Sequence, residues 1–196
     1  MAAEVVLRAL GYVWSRLEPL KIPMAVSGGL ALAVWQHFRA TRDVDVLLGT
    51  PESHVDRILP TLVAAGIKPK HTVVPIRLGN LKVLQFQYEP PGAYLDIQID
   101  LLLADSKYHR TALARSVPVQ LAGLADKVSV LSCEDLIIQK LLAARIIDQA
   151  DAAALLRANR NTLDMSYLMH WVTEIDLSRD LATAWKAAFP GEPLPA

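Results

Sequence analysis

One segment near the N-terminus contains the pattern that most restricts the fold. A short apolar run, 22–26, is separated by the Gly28-Gly29 turn from a run with helical spacing, 30–38. Residues 42–48 then begin with alternating polar and apolar side chains, end fully apolar and are closed by a Gly-Thr-Pro sequence. This order predicts a strand, a tight turn, a helix and a second strand.

Periodicity in the rest of the chain predicts a β-sheet in the middle and helices towards the C-terminus. Further strands are expected at 71–78, 81–88 and 94–103, and a Gly-Asn hairpin turn joins the first two. Residues 105–130 are expected to form loops with one short strand at most. Ser132 and Asp135 form a predicted capping box. Helices are expected at 3–18, 52–65, 134–146, 149–158, 164–173 and 178–188.

Length and composition restrict the class of protein. The 196 residues suffice for one domain, with or without a helical extension. The mean hydropathy of +0.27 comes from dispersed Ala and Leu, and the longest apolar stretches fall far short of the roughly 18 to 20 residues of a membrane-spanning helix. The formal net charge of zero argues against a pure nucleic-acid-binding module. With Cys133 as the single cysteine and no secretory signal in 1–20, a cytoplasmic protein is expected.

Asp43 and Asp45 are candidate metal ligands. On a strand, side chains two positions apart share a face, and two carboxylates beside an apolar run repel each other unless a cation or Arg42 neutralises them. The spacing alone is weak evidence, since a solvated pair at the start of a strand is common. A third carboxylate, either Asp96 or Asp100, follows in the predicted strand 94–103. Asp100 is preferred, because it also precedes an apolar run, and three carboxylates suit a hard cation such as Mg²⁺.

The Gly28-Gly29 turn is a candidate phosphate site. Glycines between a strand and a helix let the backbone approach a ligand closely and leave backbone N–H groups free for phosphate. A plain tight turn is the alternative. The five histidines show no ligand spacing, and no catalytic or metal role is expected for them.

Two segments in order resemble the signature of the DNA polymerase β-like nucleotidyltransferase superfamily, and within it the AbiEii-type and MenT-type toxin nucleotidyltransferases. The first joins Gly28–Val34 to Arg39–Leu48 and contains Asp43-Val44-Asp45. The second is Ser132–Arg145, followed by Asp148 and Asp151. The resemblance extends over about residues 20–156, and less securely over the C-terminal helices.

This resemblance implies an α+β nucleotidyltransferase fold, with a mixed β-sheet flanked by helices and a C-terminal helical bundle. Residues 1–130 would form the catalytic domain, and 131–196 a helical extension packed on it. The residues expected to act fall into three groups. The ligands of Mg²⁺ or Mn²⁺ would be Asp43, Asp45 and Asp100, with Asp96 as the alternative. The NTP would be bound by Gly28, Gly29, Arg39, Arg42 and Lys140. Asp148 or Asp151 would match the acidic residue that follows the lysine helix.

The activity implied is transfer of NMP from an NTP to an acceptor hydroxyl. A tRNA 3′ end is the acceptor expected for the toxin-like branch, and a protein hydroxyl or a small molecule such as an antibiotic is an alternative. A second class of function is an inactive nucleotidyltransferase fold that acts as a binding or regulatory partner. In either class an antitoxin-like protein is a candidate partner.

Overall fold

A computed structural model describes residues 2–71 and 73–195, which leaves Met1, Thr72 and Ala196 undescribed. These described residues form eight α-helices and eight strands, with 3-10 turns at Glu18–Leu20 and Glu52–Arg57. The helices are α1 (Ala2–Leu17), α2 (Gly28–Val34), α3 (Leu59–Ala64), α4 (Lys107–Ala114), α5 (Cys133–Ala143), α6 (Ile146–Asn159), α7 (Met165–Glu174) and α8 (Ser178–Ala188). The strands are β1 (Met24–Val26), β2 (Asp43–Leu48), β3 (Lys68–Pro69), β4 (Ile76–Leu78), β5 (Leu81–Tyr88), β6 (Ile97–Leu103), β7 (Val117–Val119) and β8 (Val128–Val130).

The strands form one mixed sheet in the order β3-β5-β6-β2-β1-β8-β7, with β4 added to β5 as a hairpin. β2 runs parallel to β6 and antiparallel to β1, and β5 runs antiparallel to β6. β2 and β6 lie at the centre, and both end in buried apolar runs. The α+β class and the mixed sheet are therefore confirmed.

The sheet departs from the prediction at its edges. Of the predicted strand 71–78, only Ile76–Leu78 is extended, and Thr72 lies outside the described residues. The predicted strand 94–103 begins at Ile97, because the preceding residues form a turn. The helix predicted at 52–65 is divided into a 3-10 segment and α3, with a proline in the first turn of α3.

The prediction of loops for 105–130 is wrong. This segment contains α4 and the strands β7 and β8. Ser106 caps α4 by accepting a hydrogen bond from the backbone N–H of His109 at 3.1 Å. The two strands have three residues each, and the Pro118 that interrupts β7 lies at the edge of the sheet. Segments this short have too little periodicity of their own to be recognised, and they are stabilised by pairing and burial.

Helix α5 is buried along its whole length, and it packs against α2, α6 and α7. The Ser132–Asp135 capping box is confirmed, since the Ser132 hydroxyl accepts from the Asp135 backbone N–H at 3.2 Å and donates to its carboxylate at 2.8 Å. The β4–β5 turn is held against the end of α5 by a hydrogen bond from Asn80 N–H to the Leu142 carbonyl oxygen at 3.1 Å. The hairpin and α5 thereby form two walls around the central strands.

The C-terminal helices α6, α7 and α8 lie where periodicity predicted them, within a few residues at each end. The division of the chain near residue 130 into a catalytic domain and an extension stays a prediction. In the part of the chain that the structure describes, no helix is both long enough and apolar enough to cross a membrane.

Candidate active site

The register of the two central strands brings the predicted carboxylates together. Asp45 on β2 lies directly opposite Asp100 on β6, and Asp43 lies opposite Gln98. Since side chains two positions apart share a face, Asp43, Asp45 and Asp100 all line one open cleft with a volume of about 270 Å³. Asp96 lies exposed before β6 begins and is not part of this lining. Of the two candidates for the third carboxylate, the fold therefore places Asp100 beside the pair.

The cleft is bounded by the central strands, the β4–β5 hairpin, the Gly28-Gly29 turn and the start of α6. Its lining residues are Gly28, Gly29, Arg39, Thr41, Asp43, Asp45, Ile76, Leu78, Val83, Gln85, Gln98, Asp100, Lys140, Arg145 and Ile147. A much smaller recess, with a cavity volume of about 40 Å³, continues from it. The recess is lined by Ser27, Gly28, Asp45, Leu78, Leu81, Val83, Asp100, Leu102, Gln139, Lys140, Ala143, Arg145 and Asp148.

Ionisation of Asp45 and Asp100 is disfavoured in the folded protein. Burial, followed by the negative charge of Asp100, raises the pKa of Asp45 from 3.8 to about 6, although Lys140 acts in the opposite direction. Burial also raises the pKa of Asp100, and the amides of Gln98 and Gln85 partly offset this effect. Gln98 donates to both Asp100 oxygens at 3.0 Å, and Gln85 donates to Oδ1 at 3.2 Å. The site therefore holds more negative charge than its neighbours neutralise.

A hard cation suits this donor set. Asp45 and Asp100 are paired on adjacent strands, which places their Cα atoms about 5 Å apart, and carboxylate oxygens are the ligands that Mg²⁺ and Mn²⁺ prefer. Among residues 2–71 and 73–195, no three His, Cys, Asp or Glu side chains stand together in an arrangement that could hold a metal ion. The chemistry of the residues thus fits a cation, and their present orientation does not form a finished cage.

Glycine is required at positions 28 and 29 because neither position has space for a Cβ atom. Gly28 has φ +55°, and a Cβ built on it would lie 1.8 Å from Asp45 Oδ2. A Cβ on Gly29 would lie 2.5 Å from the Thr41 side chain. The Gly29 backbone also contributes a hydrogen bond that lowers the pKa of Asp45, against the larger effect of burial. The turn therefore packs directly against Asp45 on β2, and the Gly29 backbone hydrogen-bonds the Asp45 carboxylate.

Lys140 projects from α5 into the cleft, where it is almost fully buried. Its Nζ lies 3.0 Å from Asp148 Oδ1 and 3.0 Å from Asp151 Oδ2, both on α6. Burial opposes ionisation of these two carboxyl groups, but their cationic partners hold both pKa values below the ordinary value. The alternatives left open by the sequence, Asp148 and Asp151, are thus both partners of the same lysine.

Arg39 and His37 converge on the other side of Asp151. Arg39 donates through Nε to Oδ1 and through Nη2 to Oδ2, each at 3.0 Å, and His37 Nε2 lies 3.0 Å from Oδ1. These contacts tie the loop before β2 to α6. His37 therefore has a structural contact at the site that its isolated position in the sequence did not indicate.

Comparison with protein families decides the affiliation of this chain. The family described as "Nucleotidyl transferase AbiEii toxin, Type IV TA system" matches residues 13–193. The chain belongs to this AbiEii family. The match includes all the carboxylates of the cleft and the whole Lys140 network, so the resemblance found in the sequence is confirmed. Comparison with curated protein sequences gave no significant match.

Solved structures share the fold of this AbiEii family member. An antigenic nucleotidyltransferase-like protein from Paracoccidioides brasiliensis is 18% identical, with 93% of each chain covered and a TM-score of 0.53. The antibiotic-resistance factor ANT(2'')-Ia is 12% identical, with 90% of this chain and 93% of that chain covered and a TM-score of 0.56. JHP933 from Helicobacter pylori is 14% identical, with 95% and 79% covered and a TM-score of 0.50. At these identities the likeness establishes a nucleotidyltransferase fold.

One functional candidate in this AbiEii family member was missed by reasoning from the sequence. Arg145 lines both the cleft and the recess, and Asp148 anchors it through Nε at 2.6 Å and Nη2 at 3.1 Å. Its pKa is raised, first by the hydrogen bonds that it donates to Asp148 and more weakly by the charges of Asp45 and Asp100. Arg145 ends the second segment of the resemblance, five residues after Lys140 and three before Asp148, and this position alone was not a sufficient signal of a role. Arg42, by contrast, is exposed just before β2 and outside the cleft lining, and its nucleotide-binding role stays a prediction.

A mainly apolar groove opens beside the cleft and shares Gly29, Arg39 and Thr41 with it. Its other lining residues are Ala3, Leu7, Leu30, Ala33, Phe38, Ala40, Leu121 and Ala122. Phe38 is 80% exposed, which is unusual for a large aromatic side chain. This surface, here called the Phe38 groove, is continuous with the site of the carboxylates.

Proposed function

We propose that this chain is a metal-dependent nucleotidyltransferase that moves NMP from an NTP to an acceptor hydroxyl. The observation that carries the proposal is the pairing of Asp45 with Asp100, with Asp43 on the same face, inside a cleft that also contains Lys140 and the Gly28 backbone. Membership of the AbiEii family and the shared nucleotidyltransferase fold support the same reaction.

Asp43, Asp45 and Asp100 would hold Mg²⁺ or Mn²⁺. When bound, the cation would lower the pKa of the acceptor hydroxyl and neutralise charge on the phosphates. Asp45 is the residue most in need of such a partner, because burial and its carboxylate neighbours raise its pKa to about 6. Asp100, to which Gln98 and Gln85 donate hydrogen bonds, would accept the proton of the acceptor hydroxyl.

The triphosphate would lie between the Gly28-Gly29 turn and the cations of α5 and α6. Lys140 and Arg145 both line the recess next to Asp45. Asp148 fixes the guanidinium of Arg145, and a fixed guanidinium matches phosphate geometry better than a mobile one. Arg39 is held by Asp151 and would support this wall of the cleft, with Arg42 as a further phosphate contact at the mouth.

The acceptor would approach over the Phe38 groove. The groove adjoins the carboxylates, and among its described lining residues Arg39 is the one charged side chain. An exposed aromatic ring beside a neutral apolar surface suits the stacking of a nucleobase, so a tRNA 3′ end is the acceptor we propose. A protein hydroxyl or a small molecule is the alternative; ANT(2'')-Ia has been solved in complex with adenylyl-2''-tobramycin. An antitoxin-like partner and a cytoplasmic location would accompany a toxin of this family.

The test is transfer of label from each α-³²P-labelled NTP, with Mg²⁺, to total RNA or to lysate protein. Asp45→Asn should reduce transfer by roughly 100-fold or more, because it removes a proposed ligand of the cation. Asp96→Asn is the matched control, since Asp96 carries the same group outside the cleft, and it should leave transfer unchanged. Absence of transfer to any acceptor, with NTP binding that Asp45→Asn does not affect, would indicate an inactive binding partner and refute the enzymatic proposal.

A further inference from the structure

One face of the sheet carries two rows of polar side chains that extend from the cleft to the edge strand β3. Residues paired across adjacent strands share a face. The strand register gives the first row, which consists of Asp43, Gln98, Gln87 and Lys68. The second row includes Lys70, because its N–H continues the register by donating to the Gln85 carbonyl oxygen at 2.9 Å. This row consists of Asp45, Asp100, Gln85 and Lys70.

Each row begins at a carboxylate of the cleft and ends at a lysine. The part of this face beyond the carboxylates, here called the Lys–Gln platform, consists of Lys68, Lys70, Gln85, Gln87 and Gln98. All five residues are exposed or half-buried. Adjacent strands lie about 4.8 Å apart, so the outer edge of the platform is roughly 14 Å from the backbone of β2. Gln85 and Gln98 also line the cleft, which makes the platform and the cleft one continuous surface.

Lys70 reaches across the platform towards the cleft. Its ammonium donates to Gln98 Oε1, and the Gln98 amide donates to both oxygens of Asp100 at 3.0 Å. An ammonium has three N–H donors, so two remain after the contact with Gln98. Among residues 2–71 and 73–195, no carboxylate forms an ion pair with Lys68 or Lys70. The platform therefore presents two cations to a ligand, and Gln98 orients one of them.

The position of the platform relative to the proposed NTP site indicates which substrate it meets. Lys140 and Arg145, the proposed partners of the triphosphate, line both the recess and the cleft, whereas Asp43 and Gln98 line the cleft alone. In phosphoryl transfer the attacking and leaving oxygens lie roughly in line, on opposite sides of the reacting phosphorus. With the leaving pyrophosphate at the recess end, the acceptor enters at the end where the platform begins.

The composition of the platform favours an anionic acceptor. Lysines attract phosphate and repel a cationic small molecule such as an aminosugar. Side chains two positions apart on a strand are about 6.7 Å apart, a spacing at which Lys68 and Lys70 can contact successive phosphates of an extended single strand. The glutamine amides, each with a donor and an acceptor, suit ribose hydroxyls and the edges of bases.

We propose that the Lys–Gln platform binds the phosphate backbone of a single-stranded nucleic acid acceptor, next to the end that reacts in the cleft. The proposal rests on the proposed function, because it takes the ligand of the platform to be the acceptor of the NMP. Lys68 and Lys70 contact the backbone of the strand, while the Phe38 groove receives a base. Phosphate contacts do not read base identity, so the platform strengthens the binding of every single strand alike.

The test measures binding of a short fluorescein-labelled oligo(U) RNA by anisotropy, with Mg²⁺ and without NTP, at several NaCl concentrations. Lys68→Gln and Lys70→Gln each remove one charge, and glutamine at position 70 keeps a donor for Gln98. Lys186→Gln is the matched control, since Lys186 is an exposed lysine on α8 outside the cleft lining. Measurement of Tm verifies that each variant is folded.

Loss of one phosphate contact should lower the slope of log K against log[NaCl] by about 0.7, which corresponds to roughly 5-fold weaker binding at about 0.1 M NaCl. Lys68→Gln and Lys70→Gln should each show this effect, and the double variant should show about twice the change in slope. The loss should be the same for oligo(A) as for oligo(U). Lys186→Gln should retain the wild-type affinity and slope.

Wild-type affinity and salt dependence in both platform variants would overturn the proposal, and so would a wild-type protein that binds no RNA. Displacement of the RNA by poly-L-glutamate as effectively as by unlabelled oligo(U), at equal charge, would also overturn it and assign the platform to an acidic protein segment. In each case Mg²⁺-ATP binding that Asp45→Asn abolishes would leave the proposed function intact. RNA binding without any binding of Mg²⁺-ATP would refute the proposed function, and with it the role of the RNA as acceptor.

Discussion

Substitution of Gly28 by alanine tests the contact between the glycine turn and Asp45 on β2. Gly28 has φ +55°, a conformation that glycine adopts freely and that is unfavourable by about 1–2 kcal/mol for an L-residue with a side chain. The added methyl group would lie 1.8 Å from Asp45 Oδ2, 2.3 Å from Cγ and 2.7 Å from Cβ. The whole Asp45 side chain, including its base, therefore blocks the methyl group, and a change of rotamer at the carboxylate is not sufficient.

The geometry gives the size of the effect. Ordinary contact requires about 3.4 Å, so the carboxylate or the turn must retreat by about 1.6 Å. A displacement of 1 Å at a catalytic group can reduce the rate by about 100-fold. We expect Gly28→Ala to lower nucleotidyl transfer by at least this factor, and to lower the free energy of unfolding by about 2 kcal/mol or more through backbone strain and overpacking.

Gly66→Ala separates the two causes. Gly66 has φ +75°, and a Cβ there would meet no atom within 4 Å, so this variant has the backbone strain without the clash. It should lose about 1 kcal/mol of stability in urea unfolding and keep full transfer activity and full affinity for Mg²⁺-ATP. Equal activity of Gly28→Ala and Gly66→Ala, measured at a temperature where both are folded, would refute the argument that the turn positions Asp45.

Three further predictions concern charge. Because the folded state raises the pKa of Asp45 to about 6 from 3.8, its ionisation opposes folding as pH rises through this interval. The stability of Asp45→Asn relative to the wild type should therefore increase between about pH 4 and 6, by at most about 3 kcal/mol. Urea unfolding of both proteins at several pH values measures this difference. A difference that does not change with pH would contradict the reasoning. Lys140→Met should lower the free energy of unfolding by about 3 kcal/mol, because it leaves buried carboxylates short of a partner. Lys82→Met, at an exposed pair, should change the free energy of unfolding little. Similar losses in the two variants would contradict the burial argument. Arg145→Ala should weaken Mg²⁺-ATP binding roughly 10-fold in calorimetry at a temperature where the variant is folded. Arg160→Ala, which breaks the surface pair with Glu192, should bind normally. Equal affinities of Arg145→Ala and the wild type would exclude Arg145 from the phosphate site.

The sequence identified the candidate carboxylates and favoured Asp100 over Asp96, but it could not decide between them. Asp43 and Asp45 were predicted from spacing and from their place before an apolar run, and the strand that carries them was predicted almost to the residue. Asp96 and Asp100 were both candidates, since both alternate on the predicted strand. The choice depends on where β6 begins and on its register with β2, and register between strands distant in sequence is not encoded by local periodicity.

The Lys140 network shows the same division. The helical spacing around Lys140 and the capping box at Ser132 are local features, and both were confirmed. Local pattern could not reveal that Asp148 and Asp151 both bind this lysine, nor that Arg39 and His37 reach Asp151 from more than 100 positions away. Such contacts arise when α5 is buried between other elements, because a charge without solvent there needs a partner from whichever segment is adjacent.

The sequence by itself determined the elements that carry the site: the strand before Gly28, the glycine turn, the aspartates of β2 and the capped helix with its lysine. These follow from interactions among residues close in the chain, which act before the fold is complete. Tertiary structure alone decided that Asp100 lies opposite Asp45 and that Arg145 lines the recess. Burial and strand register join residues far apart in sequence, and the chemistry of this site depends on those contacts.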